Sequence, residues 1–553
     1  MLKTTIFVAA LAVATALAQE PDRQPFRAAT RLVPIDAIVH DKDGKPVADL
    51  TAADFKVFED GKEQKVEFFQ VNVARPSAAT ATTTPGSASG LLSGPAAPAL
   101  GAGLYTNRPN GAVPLTATVV LFDRLNTRFE DQVQARAEIV KFLGRIRPDE
   151  RVALYVLESN AVRVIHDFTR DTASLVKAIS RYRAQTSVEQ QASDAPPPPF
   201  EPIGSGGIDA ETDAWLKETT ELVANQYLRR RGENSLAALE TIGNHLAGIP
   251  GRKNLVWVSS AFPLAFSDSV GAAPGAPSVP KTFSIPLTRA VNAISTANVA
   301  IYPVDTTGLI ASYSGVAPTA TTVGIGRGTV RAAPDTGTMA ATMTNVDTMS
   351  ELAVRTGGRV FHNTNNIGGA IGKAMDDGRV TYSLGYYPTN QKWDSKFRQV
   401  KVEVRRSGTD VRHRSGYLAL PSEVAKGDST LADLARSALD ATAIGLTVNA
   451  EGSNVGIRVD AGGITLRPAG NLFDVAIDIL IAHSMPNGEL VKSFDKTLNL
   501  QLSREQRDQI LQEGFTLNRT VDIRPSATAL HVVVRDAPSG RAGSVSIPVQ
   551  KTR

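Results

Sequence analysis

Four apolar runs spaced by helix-patterned segments constrain this chain more than any other feature. Residues 116–122 (TATVVLF) end at Asp123; RVALYVLES follows from Arg151, NLVWVSS from Asn254 and NVAIYPVD from Asn298. Runs this short and this uniformly apolar suit strands buried on both faces of a parallel sheet. Between them, Val133, Ala137, Val140, Leu143 and Ile146 recur near helical spacing, as do Leu236, Leu239, Ile242 and Leu246, and then Ala290, Ile294 and Ala297. SLVKAISRY continues the pattern from Ser174, and DTMSELAVRTGGRVFH adds a helix, a turn at Gly357 and Gly358, and a short strand. Strands alternating with helices predict a doubly wound α/β domain, whose ligands bind beyond the carboxyl ends of the strands. Asp123 stands at such an end.

Both flanks read as β structure. Period-two alternation over 32–39, turns at 41–45 (DKDGK) and at Asp60 and Gly61, and the run KVEFFQV predict a small, mostly antiparallel N-terminal β domain over 28–75. Residues 76–113, rich in Ala, Ser, Thr, Pro and Gly, predict a flexible linker. The central domain then spans 114–420, with insertions at 186–210 and 307–347. The first insertion carries four consecutive prolines and is followed by the helical stretch WLKETTELVANQYLRRR. GRVTYSLG reads as the final strand of this domain, and the alternation through Val400, Val402 and Val404 as a β extension. Residues 421–442 form a polar connector with a short helix, and the many strand-like runs of 443–551 predict a β-sandwich.

The N-terminus reads MLKTTIFVAALAVATALAQE. One lysine, an apolar run over 6–14 and the small residues around Ala16 and Ala18 predict an export signal at 1–18, cleaved after Ala18. The run is short for a bilayer, which needs about 20 residues. The mature chain is therefore expected outside the cytoplasm, in the periplasm, on the cell surface or in the medium, with no stable transmembrane segment. The absence of cysteine rules out disulfides, thiolate metal sites, a lipid-modified cysteine and cysteine nucleophiles. A formal net charge of +4, with Lys and Arg scattered among Asp and Glu, argues against a nucleic-acid partner.

LTAADFKVFEDG, PGRKNLVWVSSAFP, VAIYPVDTTGL, VTYSLGYYPTN and VRHRSGYLAL together resemble the von Willebrand factor type A-related proteins of acidobacteria, over most of 30–420. The resemblance implies an A-type central domain. In the wider A-domain family a divalent cation is held by Asp-x-Ser-x-Ser, a separate Thr and an Asp after a later strand, and a partner's acidic residue often completes the shell. Here the motif is degenerate. Asp123 matches the first Asp, Leu125 stands at the first Ser, and Thr127 replaces the second as an oxygen ligand. Ser235 resembles the separate Thr, and Ser259 or Ser260 falls where the later Asp would be. Asp123, Thr127 and Ser235 are the candidate ligands, with Asn126 and Asp131 as substitutes. Mg²⁺ and Mn²⁺ are the cations implied, and one carboxylate among the three ligands implies weak binding. A second reading has Asp123 accepting backbone hydrogen bonds at the turn and Thr127 capping the next helix.

No coherent catalytic set emerges. The glycines at 324, 326 and 328 lack a following Lys-Ser or Lys-Thr. His166, His245, His362 and His413 follow no metal spacing, and Ser205 sits in loop material with no flanking strand. The expectation is an exported, non-enzymatic protein-interaction or adhesion module with a protein or peptide partner, assisted by a weak cation site. The alternatives are a metal-assisted hydrolytic envelope enzyme using Asp123 as base or metal ligand, and a structural envelope protein.

Overall fold

A computed structural model describes residues 32–73, 103–108, 117–147, 150–159, 161–194, 210–262, 284–308, 336–394, 396–419 and 431–549. The expected signal at 1–18, most of the 76–113 stretch and the middle of both insertions lie outside them. The chain opens with β1 (Val33–His40), β2 (Phe55–Glu59), β3 (Lys62–Gln64), β4 (Val66–Val73) and β5 (Leu104–Thr106). Next come β6 (Ala117–Asp123), α1 (Phe129–Leu143), β7 (Val152–Leu157), β8 (Val162–Thr169), α2 (Thr172–Ser180), α3 (Val188–Asp194) and α4 (Ala210–Leu246). The alternation continues through β9 (Lys253–Ser259), α5 (Ser284–Thr296), β10 (Val299–Asp305), α6 (Thr336–Thr356) and α7 (Ile367–Asp377). Then follow β11 (Val380–Tyr386), β12 (Phe397–Val404), β13 (Asp410–Arg412), β14 (Gly416–Leu418) and α8 (Leu431–Arg436). Last are β15 (Leu446–Glu451), β16 (Asn454–Val459), β17 (Arg467–Ala469), β18 (Leu472–Ser484), β19 (Leu490–Leu502), α9 (Arg504–Glu513), β20 (Phe515–Thr520), β21 (Ala529–Asp536) and β22 (Ala542–Pro548).

The four apolar runs become β6, β7, β9 and β10, and every residue in them is buried. They form a parallel sheet in the order β10-β9-β6-β7, with β8 antiparallel at the edge. One face packs Val119, Leu121, Trp257 and Ile301 against Leu239 and Ile242 of α4 and Ile294 of α5. The other packs Val120, Phe122 and Tyr302 against Ile139 and Leu143 of α1 and Ile371 of α7. The α/β reading therefore holds, with helices on both faces. Three details differ. β8 carries Arg163, His166 and Asp167 on a half-solvated edge, so it lacks the apolar run that marks the other strands. α1 buries Gln132, Ala135, Ile139 and Leu143, while Val133 faces out. The helix expected after the first insertion and the one carrying Leu236 are one 37-residue helix, α4.

The separate N-terminal β domain is corrected. β1 pairs with β11 and β13, giving the sheet β13-β1-β11-β4, and β2 pairs with β12 in the sheet β14-β12-β2-β3. Ile35, Val57, Tyr382, Leu384, Val400 and Val402 share one core. Residues 33–73 and 380–419 thus form one β unit, and the α/β unit is inserted between β4 and β11. GRVTYSLG is consequently not the last strand of the parallel sheet. β11 is flanked by β1 and β4, both antiparallel to it, and these strand partners lie too far away in sequence for local patterning to reveal.

This unit contains a buried ion pair. Arg398 Nη1 lies 3.1 Å from Glu59 Oε1, each side chain 2% exposed. The Tyr386 and Tyr417 hydroxyls donate to Glu59 Oε2 at 2.6 and 2.8 Å, and Arg398 also donates to the Asn390 and Lys392 carbonyls. His413 is held neutral nearby. Its Nδ1 lies 2.8 Å from the Arg414 carbonyl, and its Nε2 accepts from the Val402 amide at 3.1 Å. Those partners assign the Nδ1–H tautomer.

Correction also applies to the 76–113 linker. Leu104–Thr106 forms β5 and pairs with β15 in the sheet β20-β16-β15-β5. A second sheet joins β17, β18, β21 and β22, with β19 on β18. Both sheets contribute to one core through Leu446, Val448, Ile457, Ile477, Ile479, Val532 and Val534. The end of α4 bonds to the chain leading into this unit. Thr442 Oγ1 donates to the His245 carbonyl at 2.6 Å and accepts from the Gly248 amide at 2.8 Å. A Cβ on Gly248 would lie 2.3 Å from the Thr442 carbonyl oxygen, so only glycine fits there.

Two outcomes follow from the β unit. Glu59→Ala leaves the Arg398 charge buried without its carboxylate and is expected to cost about 3–5 kcal/mol in denaturant unfolding. Burial holds the His413 pKa below its ordinary 6.5, with the neighbouring Arg414 charge assisting and the Arg414 carbonyl bond opposing. A histidine lowered in the fold contributes stability that is complete above its unfolded pKa and is lost as pH falls below it. Melting temperatures titrated downward from neutral pH should therefore fall, and His413→Gln should flatten that slope.

Candidate functional site

β6 carries Asp123 to the carboxyl edge of the parallel sheet, where the chain turns into α1. Leu125 anchors this turn, because its side chain is fully buried in the core with Leu121, Trp257 and Phe262. The position where the resemblance implies a ligating serine thus points into apolar packing.

Asp123 is fully buried and accepts hydrogen bonds from all around. Oδ1 accepts from the Asn126 amide at 2.9 Å. Oδ2 accepts from Asn126 Nδ2, Trp257 Nε1 and Ser259 Oγ, each at 2.9 Å. Burial pushes the carboxyl pKa upward, and these bonds oppose it. The first of them is the backbone bond expected of a turn.

Asn126, fully buried, is the hub. Its Nδ2 also donates to Ser235 Oγ at 2.9 Å, and its Oδ1 accepts from Arg231 Nε at 3.1 Å. A guanidinium only donates and an ionised carboxylate only accepts, which fixes the orientation of this amide. Ser235 Oγ donates to the Arg231 carbonyl, one helical turn back, at 2.9 Å. Arg231, 2% exposed, continues outward to Ser193 Oγ at 2.6 Å and Asp194 Oδ1 at 3.0 Å. Ser193 and Asp194 belong to α3, inside the first insertion. Gln132 ties the residue just before that insertion to α1, donating to the Thr127 carbonyl at 2.7 Å and the Gln185 carbonyl at 3.0 Å.

Thr127 is buried, and its Oγ1 has no hydrogen-bond partner. It does not cap α1; Arg128 occupies the N-cap position without a side-chain bond. Ser260 Oγ accepts from the Arg128 amide at 3.0 Å and donates to the Asn126 carbonyl at 3.2 Å. Asp131 is partly exposed on the first turn of α1, its pKa raised, chiefly by burial. Asp305 ends β10, also raised by burial, and accepts from Thr307. Around this polar knot, Phe129 is 50% exposed, Val133 45% and Val188 67%.

The fold therefore brings Asp123 and Ser235 together through Asn126, with Thr127 on the same turn. As arranged, this donor set does not fit a divalent cation. Both Asp123 oxygens are engaged, the Ser235 proton is committed, and an amide NH₂ fills the gap between them. Only Thr127 Oγ1 is free. Among the described residues, no three His, Asp or Glu side chains group as metal ligands. Trp257 and Arg231 escaped the sequence reading. Each left a signal: an indole N–H inside an apolar strand requires a buried acceptor, and Arg231 lies one turn before Ser235 on the same helix face.

No protein family and no curated protein matches the chain by sequence. Solved structures give distant likenesses. Proximal thread matrix protein 1 from the mussel byssus is 9% identical, covering 48% of this chain and 47% of its own, TM-score 0.21. A von Willebrand factor type A protein from Catenulispora acidiphila is 8% identical, with 89% and 75% covered, TM-score 0.22. The pilus adhesin SpaC from Lactobacillus rhamnosus GG is 8% identical, with 80% and 55% covered, TM-score 0.25. The chain spans about half the length of the thread protein and of the adhesin. At these scores the likenesses carry no argument, and the site stands on its own geometry.

Asp123→Ala is expected to strand the Asn126 and Trp257 donors in a dry site, at a cost of about 3 kcal/mol or more. Asp123→Asn keeps one acceptor and should recover part of that loss. Urea unfolding followed by tryptophan fluorescence checks both.

Proposed function

We propose that the chain is an exported, non-enzymatic protein-interaction module, whose central unit offers the carboxyl edge of its parallel sheet to a protein or peptide partner. One observation carries this reading. The acidic residue at that edge is sealed inside, whereas Phe129, Val133 and Val188 stand exposed beside it. A general base must come within hydrogen-bond reach of a substrate proton, and Asp123 has no open face. Aromatic side chains are enriched at the core of protein interfaces, which suits Phe129, and apolar neighbours such as Val133 and Val188 would help exclude water around it. Ser187 Oγ donates to the Leu125 carbonyl at 3.2 Å, which places Val188 next to the same turn.

The β unit of 33–73 and 380–419 and the C-terminal region, read as a β-sandwich, serve as scaffold on either side. Export rests on the 1–18 leader pattern. Among the described residues, no helix is long and apolar enough to cross a membrane.

The test is capture from envelope extract with the mature chain starting at Gln19. Phe129→Glu combined with Val133→Glu should weaken partner binding by about tenfold or more and leave the melting temperature unchanged. Equal capture by the variant would overturn the edge as the binding surface. Hydrolase activity abolished in a folded Asp123→Ala variant would overturn the non-enzymatic reading.

A further inference from the structure

We infer that Asn126 and Arg231 act as a built-in substitute for the divalent cation that the resemblance implies, so that the carboxyl edge is held together without metal. A divalent ion at such an edge would draw the Asp123 carboxylate and the Ser235 hydroxyl toward one positive centre. Here the Asn126 NH₂ does so, 2.9 Å from Asp123 Oδ2 and 2.9 Å from Ser235 Oγ. Its polarity is set from behind. Arg231 Nε donates to Asn126 Oδ1 at 3.1 Å, and a charged donor on the carbonyl side makes the NH₂ a stronger donor on the other. The Arg231 charge is itself balanced by Asp194 at 3.0 Å. Carboxylate, amide, guanidinium and carboxylate thus form one line from the sheet edge through α4 to α3.

Two further features make the replacement hard to reverse. Leu125, at the position of a ligating serine, is locked in the core. Trp257 Nε1 and Ser259 Oγ supply two more donors to the Asp123 oxygen that faces Asn126. A cation entering here would have to displace the Asn126 amide and leave Arg231 without an inner partner. Asn126, Arg231 and Asp194 are positioning residues in this scheme: they fix the turn that displays Arg128 and Phe129. The inference does not rest on the interaction reading, because its test needs no partner.

The full mature chain is melted in chelator and in millimolar Mg²⁺ or Mn²⁺, and Mn²⁺ is titrated calorimetrically. The expected result is one melting temperature in all conditions and no saturable heat. Saturable Mn²⁺ binding to the unaltered chain that raises its melting temperature would overturn the inference. That arm uses the unaltered chain, so it stands even if a variant fails to fold. Asn126→Ala, Arg231→Ala and the double variant form the second arm. If the two residues act as one unit, the double variant should melt close to the lower of the two singles. Additive losses would overturn the coupling on which the substitution depends.

Discussion

The buried Asp123 carboxylate is the constraint around which the central unit is organised. A negative group with no solvent must be met by donors on every side, since an uncompensated buried charge is too costly to keep. The fold meets this demand from three directions. The Asp123–Asn126 turn folds back on itself, β9 contributes Trp257 and Ser259, and α4 contributes Ser235 and Arg231 by way of Asn126. The strand order serves the same need, since β6 neighbours β9 and the Trp257 indole thereby reaches Asp123.

The first insertion enters this scheme as structure. Arg231 is an arginine nearly closed to solvent, and Ser193 and Asp194 give it partners on the outer side. Gln132 and Gln185 exchange hydrogen bonds beside them. Residues that interrupt the α/β rhythm in sequence are therefore needed to close the polar edge in space.

Much of this was legible in the sequence, for physical reasons that differ by element. β6, β7, β9 and β10 are buried on both faces and so are written as unbroken apolar runs, which no turn or surface helix imitates. Asp123 was legible because it ends such a run. Ser235 was legible only through the resemblance, and Asn126 only as a substitute. The hub role of Asn126 depends on Arg231, 105 residues away, and local periodicity carries no record of such a contact. The same limit hid the true extent of the N-terminal β domain. Its strands look complete locally, yet β1 and β4 pair with β11 from the far side of the α/β unit. β5 was missed because three residues are too few to show alternation.

That interrupted β unit sets an order of events for the chain. During synthesis, β1 to β4 emerge first and wait for β11, about 300 residues later, at roughly 5–20 residues per second. For tens of seconds β1 and β4 have no native strand partner, and unpaired strand edges invite association with other chains. The inserted α/β unit can close meanwhile, since β6 to β10 and their helices are contiguous in sequence. Once closed, it shortens the effective loop between β4 and β11, which lowers the entropy cost of pairing β1 with β11. The central unit is thus also the clasp that lets the outer one assemble.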